Sequence, residues 1–242
     1  TGTTISKKEL SEICDMVVAE NAKRGADEKK LYVMFDQMYW TLTYGDTEHY
    51  SPVALNPAMK EFTIYIDGIS KSFCATGVRV GWSLGPAVVI AKMKAILSHL
   101  GAWAPMAEQK ATGDFLNNTV AVDAFFTAYK GKLWSLLQQL YAGFSTLKAE
   151  GFAVDAVAPK AAIYMTIKFD LAGKKTTDGT VLTTQEDVTQ YLLANAGLAI
   201  VPFYCFGAEK TSPWYRLSIG TCKEDDIKEM FEKLKTALSN LS

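Results

Sequence analysis

The chain has 242 residues, of which 49% are hydrophobic and 21% charged, and its formal net charge is −1. That balance is ordinary for a soluble globular protein, and the length suits one large domain or two modest ones. Near-neutral charge gives no electrostatic reason to expect nucleic acid or a membrane surface as partner, and every apolar run is broken well short of a membrane span.

Cys14, Cys74, Cys205 and Cys222 are far apart with no Cys-x-x-Cys, and only His49 and His99 are available as imidazoles, too few for a zinc motif. Free buried thiols in a reducing compartment, the cytoplasm, are the expectation. Thr1-Gly2-Thr3-Thr4 has neither the basic segment nor the apolar core of a signal peptide. No initiator methionine stands before it, so the chain opens as though cut from something longer.

Ser6-Lys7-Lys8-Glu9 is a capping box, and Leu10, Ile13, Cys14, Val17 and Val18 follow at helical spacing, with Gly25 expected to close the helix. Residues 31–35 read as a short apolar strand ending on Asp36. Residues 62–66 alternate β-branched and aromatic side chains and read as a fully buried strand, with another at 80–84. This alternation of helix and strand argues for an α/β sheet covered by helices, in which ligands gather at the carboxyl ends of the strands. Pro86 is expected in the first turn of a helix running through Val88, Ile90, Met93 and Leu97 to Gly101.

Residues 106–149 are a long helical region with a break expected near Asn117-Asn118. A helix of that length suits a bridge between domains, so the boundary is placed near residue 120, giving 1–120 and 121–242. Beyond it the pattern is α+β. A strand at 161–169 precedes a polar loop, and a cap from Thr184 to Asp187 starts a helix that stops at Gly197. Strands at 198–201 and 214–219 lead to a final amphipathic helix, capped from Thr221 to Glu224 and apolar at Ile227, Met230, Phe231, Leu234 and Leu238.

Several charged residues stand at the ends of these apolar runs. Singly, each has an ordinary explanation: a solvated loop for Lys71, a structural role for Arg79, a loop carboxylate at Asp36, aromatic packing for Tyr39, and an ion pair for Arg216. Gly77, Gly81 and Gly85 lack the order of a nucleotide-binding loop, and turn geometry accounts for them. His49 and His99 read as structural or surface residues.

Taken in order, the charged positions point further. Ser70-Lys71-Ser72-Phe73, followed by Thr76-Gly77-Val78-Arg79-Val80-Gly81, closely resembles the lysine motif of class I/II pyridoxal-phosphate-dependent aminotransferases of fold type I. Phe35-Asp36-Gln37-Met38-Tyr39 resembles that family's aspartate–tyrosine motif, and Tyr215-Arg216-Leu217-Ser218 its substrate-arginine motif. The resemblance extends over essentially the whole chain. It implies an α/β fold: the C-terminal part of a large cofactor-binding domain with a mostly parallel sheet in 1–120, and a complete smaller α+β domain in 121–242.

The resemblance also implies pyridoxal 5′-phosphate as cofactor, an amino acid (aspartate or another) and a 2-oxo acid as substrates, and a homodimer. No metal is expected, the cysteines and histidines being too few and too scattered. Residue by residue, Lys71 would be the amine that condenses with the cofactor aldehyde and moves the substrate α-proton. Asp36 would pair with the pyridine nitrogen, and Tyr39 would donate to the ring oxygen. Arg79 would bind the cofactor phosphate, with Ser70 a weaker candidate for the same task, and Arg216 would hold the substrate carboxylate. Thr1-Gly2 resembles the tail of the family's Asn-Pro-x-Gly motif, so a C-terminal fragment without the N-terminal half is expected, binding cofactor weakly. A lyase on the same scaffold and an inactive truncated module are the alternatives.

Overall fold

A computed structural model describes residues 1–242, which divide into one unit of Thr4–Ala128 and another of Tyr129–Ser242 joined by Thr1–Thr3. In the first unit, helix α1 (Lys7–Lys23) starts on the expected capping box: Glu9 N–H donates to Ser6 Oγ at 3.2 Å and Ser6 N–H to Glu9 Oε2 at 2.8 Å. Gly25 does not close it. The helix ends when Arg24 turns extended, and the Lys30 ammonium then donates to the carbonyls of Asn21, Arg24 and Gly25. A cation over the last carbonyls does the work expected of a left-handed glycine.

Strand β1 (Val33–Asp36) alternates as a strand must. Val33 and Phe35 pack against the core of Leu10, Cys14, Val17 and Met59, which puts Met34 and Asp36 on the exposed side. After the short helix α2 (Pro52–Leu55) come β2 (Thr63–Gly68), the single-turn helix α3 (Ile69–Ser72) and β3 (Gly81–Leu84). The sheet order is β1-β2-β3, with β1 parallel and β3 antiparallel to β2.

Helix α4 (Ala87–Leu100) is capped by Pro86, which precedes it rather than opening its first turn, and ends on Gly101 in the left-handed conformation. Helix α5 (Met106–Asn117) gives way at Asn118 to the 31-residue α6 (Thr119–Ala149), the break falling where the sequence places it. α4 buries none of its residues, and Val88, Ile96, Leu100 and Met106 stay exposed. Strand β2 is correspondingly less buried than its composition suggests: Ile64, Tyr65 and Ile66 are only half-covered, because the helices shield this three-stranded sheet incompletely.

The second unit is organised by the later turns of α6, whose Leu133, Leu136, Leu137, Leu140, Phe144 and Leu147 form one buried stripe. It continues with β4 (Val154–Ala156), a strand the sequence reading omits, β5 (Tyr164–Phe169), α7 (Gln185–Ala196), β6 (Val201–Pro202), β7 (Trp214–Ser218) and α8 (Glu224–Ser239). The four strands run in the order β4-β5-β7-β6, all antiparallel. The cap expected at Thr221 does not form. α8 begins after an extended Lys223 without a side-chain cap bond, and Glu224, Asp225 and Asp226 instead place negative charge on its amino end.

The second expected cap is present. Thr184 and Asp187 bond reciprocally at the start of α7, and Gly197 ends the helix left-handed. The Thr183 hydroxyl, together with the Thr183 and Thr184 N–H groups, holds the Asp187 carboxyl at a pKa of about 2, below its ordinary 3.8. A depressed carboxyl pKa stabilises the fold above the ordinary value, and the contribution is lost as pH falls through the folded value. Asp187→Asn is therefore expected to flatten the stability profile between pH 3.8 and about 2. Acid unfolding followed by circular dichroism measures this, and an unchanged slope would contradict it.

All four cysteines are free thiols, but only Cys14 is buried; Cys74 and Cys205 are exposed. No helix is long and apolar enough to cross a membrane, and no cluster of His, Cys, Asp or Glu is arranged to hold a metal.

Candidate active site

The parallel register of β1 and β2 sets the site. Asp36 lies opposite Ile66, so the segment after Asp36 and the segment after Gly68 leave the sheet side by side at their carboxyl ends. Gln37 N–H donates to Ile66 O at 3.0 Å, carrying the pairing one residue past β1. α3 begins directly after β2 and presents Lys71 half-buried, its amine in no ion pair.

A hydroxyl locks the two segments together. Ser72 Oγ, 1% exposed, donates to Met38 O at 2.7 Å. Ser72→Ala leaves that carbonyl without its partner and is expected to cost about 1–3 kcal/mol. A thermal melt unchanged within error would show that water replaces the bond at no cost.

Asp67 is the residue the sequence reading passes over. It is buried, and its carboxylate accepts Gln37 Nε2 at 3.1 Å, Trp40 Nε1 at 3.0 Å and Gly68 N–H at 2.7 Å. It thereby pins the loop after Asp36, which carries Tyr39, to the end of β2 just before the helix that carries Lys71. A buried carboxylate needs such partners. Its signal was available, as a charge directly after an apolar strand run. Nearby, partial burial holds the His49 imidazole below its ordinary pKa, against the opposing pull of Asp67. His49 lies 5.9 Å from the Phe35 ring and 5.8 Å from the Trp40 ring, a packing role.

Gly68 and Gly81 are paired across β2 and β3 so closely that a Cβ on Gly68 would come within 2.9 Å of the Gly81 Cα. Only glycine lets the start of β3 approach the turn before Lys71. Just ahead of β3, Arg79 adopts the left-handed conformation (φ 63°), donates through Nη1 to Thr76 O at 2.9 Å, and projects into solvent. That backbone costs a non-glycine residue about 1–2 kcal/mol, so the surrounding turn must impose it. Thr76 Oγ1 contributes by donating to Ser70 O at 2.9 Å. Arg79 also lines a cleft of about 480 Å³ with Trp82, Lys94, Trp103 and Gln109. Phe73 anchors the turn from below, its ring 4.7 Å from Phe126 and 5.7 Å from Phe115.

Asp36, Tyr39, Ser70, Lys71 and Arg79 thus belong to one unit and to one end of its sheet. Arg216 lies on β7 in the other unit, half-buried, with Tyr164 and Phe206 against its guanidinium.

A profile of the family "aminotransferase class I and II" matches residues 1–234. The chain belongs to that family. Among aminotransferases, it is 27% identical to a probable aspartate/prephenate aminotransferase of Rhizobium leguminosarum bv. phaseoli, over 93% of this chain and 52% of that protein. The crystal structure of the aspartate aminotransferase from Rhizobium meliloti superposes with a TM-score of 0.87 at 25% identity, covering 100% of this chain and 56% of that one. The Thermus thermophilus aspartate aminotransferase solved with maleate gives a TM-score of 0.80 at 26% identity, over 98% and 54% of the two chains. The chain spans about half the length of the curated relatives it matches. Nothing in these matches supports a lyase.

Proposed function

We propose that this chain carries the lysine-bearing part of a pyridoxal-phosphate-dependent aminotransferase that moves an amino group from an amino acid to a 2-oxo acid. Support comes from one juxtaposition: an unpaired amine, an outward carboxylate and a guanidinium with spare donors at one sheet end of an aminotransferase-family chain. The family depends on pyridoxal 5′-phosphate, and the donor set fits that molecule. Asp36 accepts the Met38 N–H through Oδ1, which leaves Oδ2 for a ring N–H. Arg79 gives one bond to Thr76 and keeps the rest of its planar fork for phosphate oxygens.

When bound, the cofactor supplies an electron sink for charge developing at the substrate α-carbon. Asp36 keeps the pyridine nitrogen protonated, and the Tyr39 hydroxyl donates to the ring oxygen. Arg79 holds the phosphate, assisted by the Ser70 hydroxyl. Lys71 Nζ moves the proton at the substrate α-carbon, and Arg216 takes the substrate carboxylate bidentately, which orients that carbon.

Aspartate is the first donor to test, since the relatives are named for it and one was solved with maleate, a dicarboxylate. We read Thr4–Ala128 as the C-terminal part of the cofactor-binding domain and the other unit as the small domain. A homodimer is carried over from the family resemblance, and four free thiols support the cytoplasm. Because the chain spans about half of its relatives, it is expected to bind cofactor weakly by itself. The test is borohydride reduction with pyridoxal phosphate, followed by peptide mapping. Label concentrated on Lys71 is expected; label scattered over surface lysines, or none, would refute the assignment. Any turnover with aspartate and 2-oxoglutarate should yield glutamate, and an elimination product would favour a lyase.

A further inference from the structure

Arg216 is held in an unusual way. Its Nε is buried with no hydrogen-bond partner, and no carboxylate pairs with the guanidinium. Two ring faces lie against it instead: the Tyr164 centroid is 4.7 Å and the Phe206 centroid 4.6 Å from its central carbon. The register explains one of them. Arg216 pairs with Thr166 across β5 and β7, which sets Tyr164 diagonally beside it on the same face. Phe206 comes from the helical turn after β6 and remains 55% exposed.

We infer that Phe206 and Tyr164 are positioning residues for carboxylate recognition, clamping the guanidinium plane without consuming its N–H donors. The inference rests on Arg216 being the carboxylate-binding residue. Its physical basis is that a cation over a ring face is held through its charge, whereas a salt bridge or hydrogen bond would occupy the in-plane donors. A side chain fixed in this way presents a flat, pre-oriented fork, so less freedom is lost when a planar carboxylate docks. Phe206 is the more informative of the pair, because its exposure makes it dispensable for folding.

The experiment follows the Arg216 Nε–Hε signal by NMR in the full chain, first free and then titrated with maleate. In the wild type, ring currents shift the signal upfield, and maleate, by hydrogen-bonding the guanidinium, moves it back downfield. In Phe206→Leu the upfield shift shrinks and maleate binds about two- to fivefold more weakly, the range expected for an exposed cation–π contact. Phe206→Tyr restores both. Retention of the wild-type shift and affinity by Phe206→Leu overturns the positioning role while leaving Arg216 as the carboxylate residue. A wild-type Arg216 signal that shows the ring-current shift but ignores maleate overturns the carboxylate reading itself, and the inference with it.

Discussion

Lys71→Ala is expected to abolish the covalent capture of pyridoxal phosphate by this chain. After borohydride treatment the variant's mass stays that of the protein alone, whereas the wild type gains one reduced cofactor. Any transfer of an amino group from aspartate to 2-oxoglutarate falls by about 10²–10⁴-fold, the usual contribution of a positioned proton-transfer group. The effect is local. Lys71 is half-buried on a single-turn helix with its amine in no ion pair, so its removal breaks no internal bond. Thermal stability should stay within about 0.5 kcal/mol of wild type, as for substitutions away from packed or paired groups. Equal labelling of the variant would move the reactive amine elsewhere. Unequal labelling with a large loss of stability would instead assign Lys71 a structural role.

Phe144→Ala is expected to be the costliest substitution for stability. Phe144 is fully buried, with the Phe231 ring at 5.2 Å and the Phe169 ring at 5.9 Å, both edge-on. The preceding Gly143 makes this packing feasible, since a Cβ there would lie 2.2 Å from the Phe231 ring. Helix α6, strand β5 and helix α8 meet at this one cluster, so truncation leaves a cavity bordered by three elements that cannot all close on it. Such truncations cost about 3–5 kcal/mol, and a melting midpoint lower by roughly 6–20 °C follows for a protein of this size. Phe144→Leu, which keeps most of the volume, should lose far less. A drop of under a degree for the alanine variant would mean that the cluster collapses around the missing ring.

Much of the fold was written in local chemistry. Both reciprocal helix caps, at Ser6 and Thr184, form as read, because a hydroxyl and an acid at the required spacing satisfy helix amides wherever they occur. Gly101 and Gly197 end their helices left-handed for an equally local reason. The departures arise where a neighbour far along the chain, or a competing group, intervenes. Lys30 replaces Gly25 at the end of α1, and the acidic first turn of α8 replaces a hydroxyl cap. Strand β4 is three residues long and is recruited by pairing with β5, which no local pattern announces.

The same division runs through the site. By itself the sequence determined which residue types stand at the ends of the apolar runs, Asp36, Lys71 and Arg79, and in what order, since motif spacing survives without knowledge of the fold. Tertiary structure alone decided that the first two leave one sheet side by side, because parallel pairing relates strands about thirty residues apart in the chain. It also revealed the groups that hold them there: the Asp67 carboxylate with its three donors, the Ser72 hydroxyl on Met38, and the close approach of Gly68 to Gly81. Hydrogen bonds and contacts of this kind depend on distances of a few ångströms between residues remote in sequence, and residue identity does not encode those distances one position at a time.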